Sequence, residues 1–249
     1  MTRRTDFKQL MRVQLQNVGW DIHRYSPKDH RSFQINQCLR HIDAELVFDI
    51  GANTGEFAEE TRDAGFEGKI VSVEPLSTAH ELLEVSAHGD SEWVIHPRCA
   101  IGDFNGEIEI NISENSVSSS VLPMLDSHSD AAEGSAYIGS EKVPIVRLDD
   151  LFKTYVSTKS VNSFFIKIDT QGFEWEVLDG APEALKNANG ILCELSLAPL
   201  YEGQKLWRDI IDRLESEGFI LWAVLKGFTD YRNGRSLQVD AVFLRRSYA

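Results

Sequence analysis

Two glycines four residues apart lie in Val47-Phe48-Asp49-Ile50-Gly51-Ala52-Asn53-Thr54-Gly55-Glu56-Phe57, between a short apolar run and a helical pattern. Glycine lets the backbone turn sharply and approach a ligand closely. Nineteen residues beyond Gly55 the next apolar run ends in Glu74, where a carboxylate can accept hydrogen bonds from both hydroxyls of a ribose. The combination points to a nucleoside-containing ligand. A dinucleotide fingerprint would read G-x-G-x-x-G, but here Asn53 takes the middle position and Glu56 opens the helix where a diphosphate would sit. Carboxylate and diphosphate repel, and Asp49 adds a second negative charge. A cationic ligand without phosphate suits this loop. S-adenosylmethionine, with its sulfonium, ammonium and ribose, fits it better than NAD does. A Walker loop is absent, since Gly68-Lys69 runs into Ile70 with no upstream glycine.

These residues need a scaffold, and the apolar pattern supplies one. Leu46–Ile50, Ile70–Glu74, Trp93–Ala100, Phe164–Ile168 and Ile191–Leu195 read as buried strands. Helical patterns follow at Glu56–Ala64, Ser77–Ala87, around Trp175–Leu185 with a break near Gly180 and Pro182, and at Leu206–Leu214. Strands alternating with helices imply βαβ units and a parallel sheet. Between them, Glu107–Ile112 alternates like a half-exposed strand, residues 113–140 form a long polar loop, Val143–Arg147 is a short strand and Leu148–Tyr155 a short helix. So long a loop inside a domain is usually functional, and the serines at 116–120 suggest a lid on the substrate side. Leu221–Leu225 and Leu237–Leu244 close the domain, with the turn dipeptide Asn233-Gly234 between them. Residues 1–44, with helical patterns at 6–19 and 33–42 around a polar stretch at Ser26–Asp29, read as an N-terminal helical cap on a domain spanning 45–249.

The 249 residues carry 25 Lys and Arg against 39 Asp and Glu, a net charge of −14. Nucleic-acid backbones and anionic membranes demand concentrated positive charge, so both are disfavoured as partners. No run of 18 apolar residues offers a membrane span, and Arg3-Arg4 has no apolar stretch behind it to make a secretory signal. Cys38, Cys99 and Cys193 are isolated, which excludes a zinc ribbon or disulfide scaffold and fits a reducing, cytoplasmic setting; Cys99 and Cys193 read as packed small hydrophobes.

The segment Asp49–Gly55 resembles the first motif of class I S-adenosylmethionine-dependent methyltransferases, and the wording of the chain is similar to that of the FkbM family. The likeness continues through Val73-Glu74-Pro75, Ala100–Asp103, Asn115–Ser120, Val146–Asp150, Lys167–Glu174, Glu194-Leu195-Ser196 and Val239-Asp240. It covers about residues 45–245, and the Lys167–Glu174 stretch is its most specific part. The family often has Val-Glu where this chain has Thr170-Gln171. The resemblance implies an α/β, Rossmann-like class I methyltransferase fold: a seven-stranded, mostly parallel sheet of order 3-2-1-4-5-7-6 with helices on both faces. It also implies that Glu74 binds the ribose and that Asp49 and the Gly51–Gly55 backbone hold the methionine end, with Ala100 and Ile101 bordering the adenine. Ala52, Asn53, Gly55, Phe57 and Pro75 complete the expected cofactor set.

The resemblance places Asp169, at the end of the fourth parallel strand, facing the transferred methyl. If the acceptor is a hydroxyl, Asp169 is the first candidate base and Glu194, at the next strand end, the second; His96 and His128 are weaker candidates. Asp169 has an equal alternative as a group that orients the cofactor or caps the following helix. Two carboxylates are too few for a magnesium site, so no metal is expected. The expected activity is O-methylation of a small-molecule or glycan hydroxyl. The alternatives are an NAD-dependent oxidoreductase and a non-catalytic nucleoside-binding scaffold. A homo-oligomer remains open.

Overall fold

Buried apolar strands alternate with amphipathic helices along the chain. The computed structural model describes residues 7–20, 30–157 and 161–248; the expected polar stretch Ser26–Asp29 lies outside them. Helices α1 (Phe7–Gln16) and α2 (Arg31–His41) precede the first βαβ run, which comprises β1 (Leu46–Ile50), α3 (Glu56–Asp63), β2 (Lys69–Val73), α4 (Ser77–Ser86) and β3 (Trp93–Ile95). An inserted unit follows: β4 (Ala100–Gly102), β5 (Gly106–Ser113), α5 (Asp126–Ser129) and β6 (Tyr137–Arg147). The α/β rhythm resumes with α6 (Leu148–Phe152), β7 (Phe164–Ile168), α7 (Glu174–Asp179), α8 (Pro182–Asn187), β8 (Gly190–Ser196) and α9 (Trp207–Ser216). The chain closes through β9 (Phe219–Lys226), the short β10 (Thr229–Asp230) and β11 (Arg235–Ser236), and β12 (Gln238–Arg245).

The central sheet has the order β3-β2-β1-β7-β8-β12-β9. Its first five strands are parallel, while β12 runs antiparallel to both β8 and β9. Counted within this sheet, that is the expected 3-2-1-4-5-7-6. Alternation of side chains along each strand divides the core by face. Phe48, Ile50, Phe164, Ile166 and Ile168 pack with Leu148, Leu151, Val177, Leu185, Ile210 and Leu214 from α6–α9. On the opposite face Val47, Phe165, Leu192 and Val242 pack with Phe57 and Ala58 of α3 and Leu83 of α4. Ile35, Cys38, Leu39 and Ile42 join this second cluster, so α2 is built into the sheet's covering layer. Met11, Val13 and Val18, in and just after α1, are exposed.

Three elements differ from the sequence reading. Trp93–Ala100 is two strands, because Pro97 has no N–H to give a ladder and the chain leaves the main sheet there. The second half pairs instead with β6, in a separate sheet of order β4-β6-β5. Residues 137–140, assigned to the polar loop, and the two that follow extend β6 back along β5; their ladder is made by backbone groups, which a polar composition does not reveal. The short helix after Leu148 ends at Phe152 and continues as a π-helical turn over Lys153–Ser157. The break expected near Gly180 separates α7 from α8, and a Cβ at Gly180 would collide with the carbonyl oxygen of Gly102.

Candidate functional site

The carboxyl ends of the parallel strands border a cavity of about 470 Å³, within the roughly 300–1,000 Å³ of small-molecule sites. The β1–α3 loop forms one wall. Gly51 has φ +75°, and any side chain there would collide with the backbone carbonyl of Asp169. Glycine therefore brings the loop against the end of β7. Asn53, also left-handed at φ +48°, gives its backbone N–H to Glu74 Oε2 at 2.8 Å, and the Leu76 N–H donates to Glu74 Oε1 at 2.9 Å. Glu74 thus fastens the loop to β2. Burial pushes its carboxyl up to about 7, although both backbone N–H bonds pull it down.

Gly51, Ala52, Asn53, Phe57, Glu74, Pro75, Ala100, Ile101, Asp169 and Glu194 all line the cavity. Two expected residues do not. Asp49 is wholly buried, so it cannot touch a ligand's methionine end: Ser72 Oγ donates to its Oδ2 at 3.0 Å, and Lys167 Nζ lies 3.1 Å from its Oδ1. Gly55 faces inward, where a Cβ would strike Trp93 and Leu83; it serves the packing of the loop.

Lys167 stands out in the sequence only as part of a motif, and the structure shows what it touches. Its ammonium donates to the carbonyl oxygen of Gly51 at 2.7 Å and lies 3.7 Å from Asp169 Oδ2. Burial lowers the lysine's pKa, but Asp49 and Asp169 more than offset that and hold it raised. A signal was available: a charge inside a strand buried on both faces needs a partner, and Asp49 stands opposite Lys167 in the β1–β7 register.

Asp169 and Glu194, at the heads of adjacent strands, are brought together by Gln171. Its Nε2 donates to Asp169 Oδ1 at 2.9 Å and to Glu194 Oε2 at 3.0 Å, while the Tyr201 hydroxyl lies 3.0 Å from its Oε1. Gln171 adopts φ +52°, costly for a residue with a side chain, and Ser120 Oγ anchors its carbonyl at 2.6 Å. The amide thus links the two carboxyl groups. Gln238 Nε2 also donates to Glu194 Oε2, at 2.6 Å. Burial, with Asp169, Glu174 and Asp240 nearby, pushes Glu194 well above the usual carboxylate range. Asp169 does not cap α7, whose N-cap residue Phe173 makes no side-chain cap bond. Glu174 instead ties down the loop ahead of the helix, accepting from the N–H groups of Thr170 and Gly172, each at 3.0 Å.

The inserted unit covers the cavity. Residues 115–121 line it, and Ser116 Oγ reaches Asn53 Oδ1 at 3.4 Å, tying the serine stretch to the glycine loop. His128 lines the same wall, its Nε2 3.0 Å from Ser118 Oγ, with burial pushing its pKa down to about 4. His96 lies off the cavity, 3.0 Å from the Tyr155 hydroxyl through Nδ1.

A seven-stranded sheet of this order, with a glycine loop after its first strand and an acid ending its second, defines a Rossmann-like class I methyltransferase. Residues 49–221 match the model of the methyltransferase FkbM domain. The chain belongs to the FkbM methyltransferase family. Solved structures give looser likenesses of chain path. A candidate O-methyltransferase from Klebsiella pneumoniae aligns at TM-score 0.49 and 9% identity over 95% of this chain and 88% of that one. A candidate RNA methyltransferase from Pyrococcus horikoshii aligns at 0.46 and 12% over 86% and 81%. Aeropyrum pernix fibrillarin, in complex with natively bound S-adenosyl-L-methionine, aligns at 0.43 and 10% over 81% and 66%. A search of curated proteins returned no match.

S-adenosylmethionine is the cofactor of the class, and the residues present fit it. With glycine at 51 the loop packs against the end of β7, and residues 51–54 line the cavity. Each Glu74 oxygen accepts one backbone N–H and, having two lone pairs, can take a ribose hydroxyl as well. Among the described residues, no helix is long and apolar enough to cross a membrane.

Proposed function

We propose that this methyltransferase acts on a hydroxyl of a small polar acceptor, a free or glycan-borne sugar, with Asp169 taking the hydroxyl proton. The observation that carries this reading is the Asp169–Gln171–Glu194 cluster, which lines the cavity beside the glycine loop. When bound, S-adenosylmethionine supplies an electrophilic methyl group on its sulfonium. The chain's own part is to position the acceptor and receive a proton. The side chain of Asp169 is about a third exposed, so it can meet an acceptor. Glu194 is held towards its neutral form and is poorly suited to accept a proton, which favours Asp169 over it. A sugar is supported by the acceptor wall, where Asn115, Ser116, Ser118 and Ser119 present uncharged hydrogen-bonding groups.

Calorimetric titration with S-adenosylmethionine, S-adenosylhomocysteine and NAD tests the cofactor half. The two adenosyl-sulfur ligands should bind and NAD should not. Glu74→Ala should weaken them by about 10- to 100-fold, the scale of hydrogen bonds to a charged group. Binding of NAD alone would sink the proposal. A panel of hydroxylated acceptors, read by S-adenosylhomocysteine release, tests the other half; tight cofactor binding without turnover on any of them would favour a scaffold.

A further inference from the structure

Arg31 opens α2, outside the residues that match the family domain, yet it lines the cavity. Its Nε donates to Asp240 Oδ2 at 3.0 Å and its Nη1 to Glu60 Oε2 at 3.2 Å, so β12 and α3 hold the guanidinium from two sides. A guanidinium carries five N–H donors, and these bonds use two. A side chain already held this way loses little further freedom on meeting a ligand.

The basic groups on the cavity wall are Arg31, Lys167 and His128. Lys167 turns its ammonium onto Asp49 and the Gly51 carbonyl, and His128 is kept neutral near pH 7 by burial. Among the described residues this leaves Arg31 as the cation open to an anionic group: although paired with Asp240 and Glu60, its side chain is 32% exposed, against 4% for Lys167, and three of its N–H donors are not used by those bonds. Acids are plentiful by contrast: Glu56, Glu60, Glu74, Asp169 and Glu194 share the wall. S-adenosylmethionine has two cationic centres, which suit that wall, and one carboxylate, which does not. The sheet order separates its ends. Glu74 follows β2 on one side of β1, whereas Arg31 is bonded to β12, beyond β7 and β8 on the other.

We propose that Arg31 receives the carboxylate at the methionine end of the cofactor, an assignment that rests on the S-adenosylmethionine reading of the site. Helix α2 thereby brings the cofactor a partner from outside the residues that match the family domain. Arginine suits the role because its planar fork matches a carboxylate.

The test is calorimetry on the full chain and on Arg31→Gln, with S-adenosylmethionine, its decarboxylated analogue and 5′-methylthioadenosine. The unaltered chain should prefer S-adenosylmethionine to the decarboxylated analogue by at least about tenfold, the scale of one charge-assisted contact. Arg31→Gln should erase that preference and bind 5′-methylthioadenosine unchanged, which also reports that it is folded. Should Arg31→Gln not fold, Arg31→Lys should keep part of the preference. Equal binding of the carboxylated and decarboxylated ligands by the unaltered chain overturns the Arg31 assignment while leaving the cofactor reading intact. So does an Arg31→Gln or Arg31→Lys variant that keeps the full preference. An unaltered chain that binds none of the three overturns the cofactor reading and the assignment with it.

Discussion

Asp169 and Glu194 are two carboxyl groups one hydrogen bond either side of the same amide, yet their surroundings give them different work. Glu194 is buried among other acids and accepts from both Gln171 and Gln238; Asp169 is open to the cavity beside the Lys167 ammonium. Two variants separate them. Asp169→Asn should lower turnover by about 10²- to 10⁴-fold, the range for a lost general base, with S-adenosylhomocysteine affinity little changed. Glu194→Gln, which replaces a carboxyl held towards neutrality by an amide of like shape, should keep most of the activity. The reverse pattern, read from initial rates on one acceptor, would exchange the two roles.

At the scale of the element, the glycine loop is shaped by what lies behind it. A side chain at Gly51 would meet the β7 carbonyl of Asp169 and would also have to adopt φ +75°. Gly51→Ala should therefore cost about 3 kcal/mol or more and lower Tm by roughly 6–12 °C for a chain of this size. A Tm unchanged within error would mean that the loop can step away from β7. Helix α2 is equally built in. Ile35, Cys38, Leu39 and Ile42 are each nearly inaccessible, and burial of such side chains stabilises by about 1.5–3 kcal/mol apiece. A chain starting at Leu46 loses all four and should be largely unfolded by circular dichroism at 25 °C. Cooperative melting close to that of the full chain would show α2 to be dispensable.

Across the whole molecule, buried acids set the response to pH. Glu74 and Glu174 both rise to about 7, chiefly through burial, so the folded chain holds these protons more tightly than the unfolded chain does. Between about pH 4.5 and 7 folding then takes up protons, and stability falls as pH rises. The net charge of −14 adds self-repulsion in the same direction. Lys167 is raised as well, but its contribution is lost only far above this window. The ligand-free protein should melt higher at pH 5.5 than at pH 8, and Glu74→Gln should flatten that slope. A Tm that climbs with pH across the window would contradict the buried-acid account. If the ionised form of Glu74 accepts the ribose, cofactor affinity should move the opposite way and strengthen from pH 6 to 8.

Much of this protein was legible in its residues. Apolar runs and their spacing announced the alternating strands and helices, because burial on both faces of a parallel sheet leaves a pattern local in sequence. The glycine loop, Glu74 and the strand-end acids were visible for the same reason, since each is tied to the end of a strand. What a side chain meets across the sheet is not local. Only the tertiary structure pairs Asp49 with Lys167 and so removes Asp49 from the cavity. Only it folds residues 137–142 back along β5, and places Gln171, strained and held by four hydrogen bonds, between Asp169 and Glu194. Arg31 is the furthest case: it is 209 residues from Asp240 in the chain and 3.0 Å from it in space. Composition and periodicity carry no record of such a meeting, because the packing of α2 against β12 and α3 creates it.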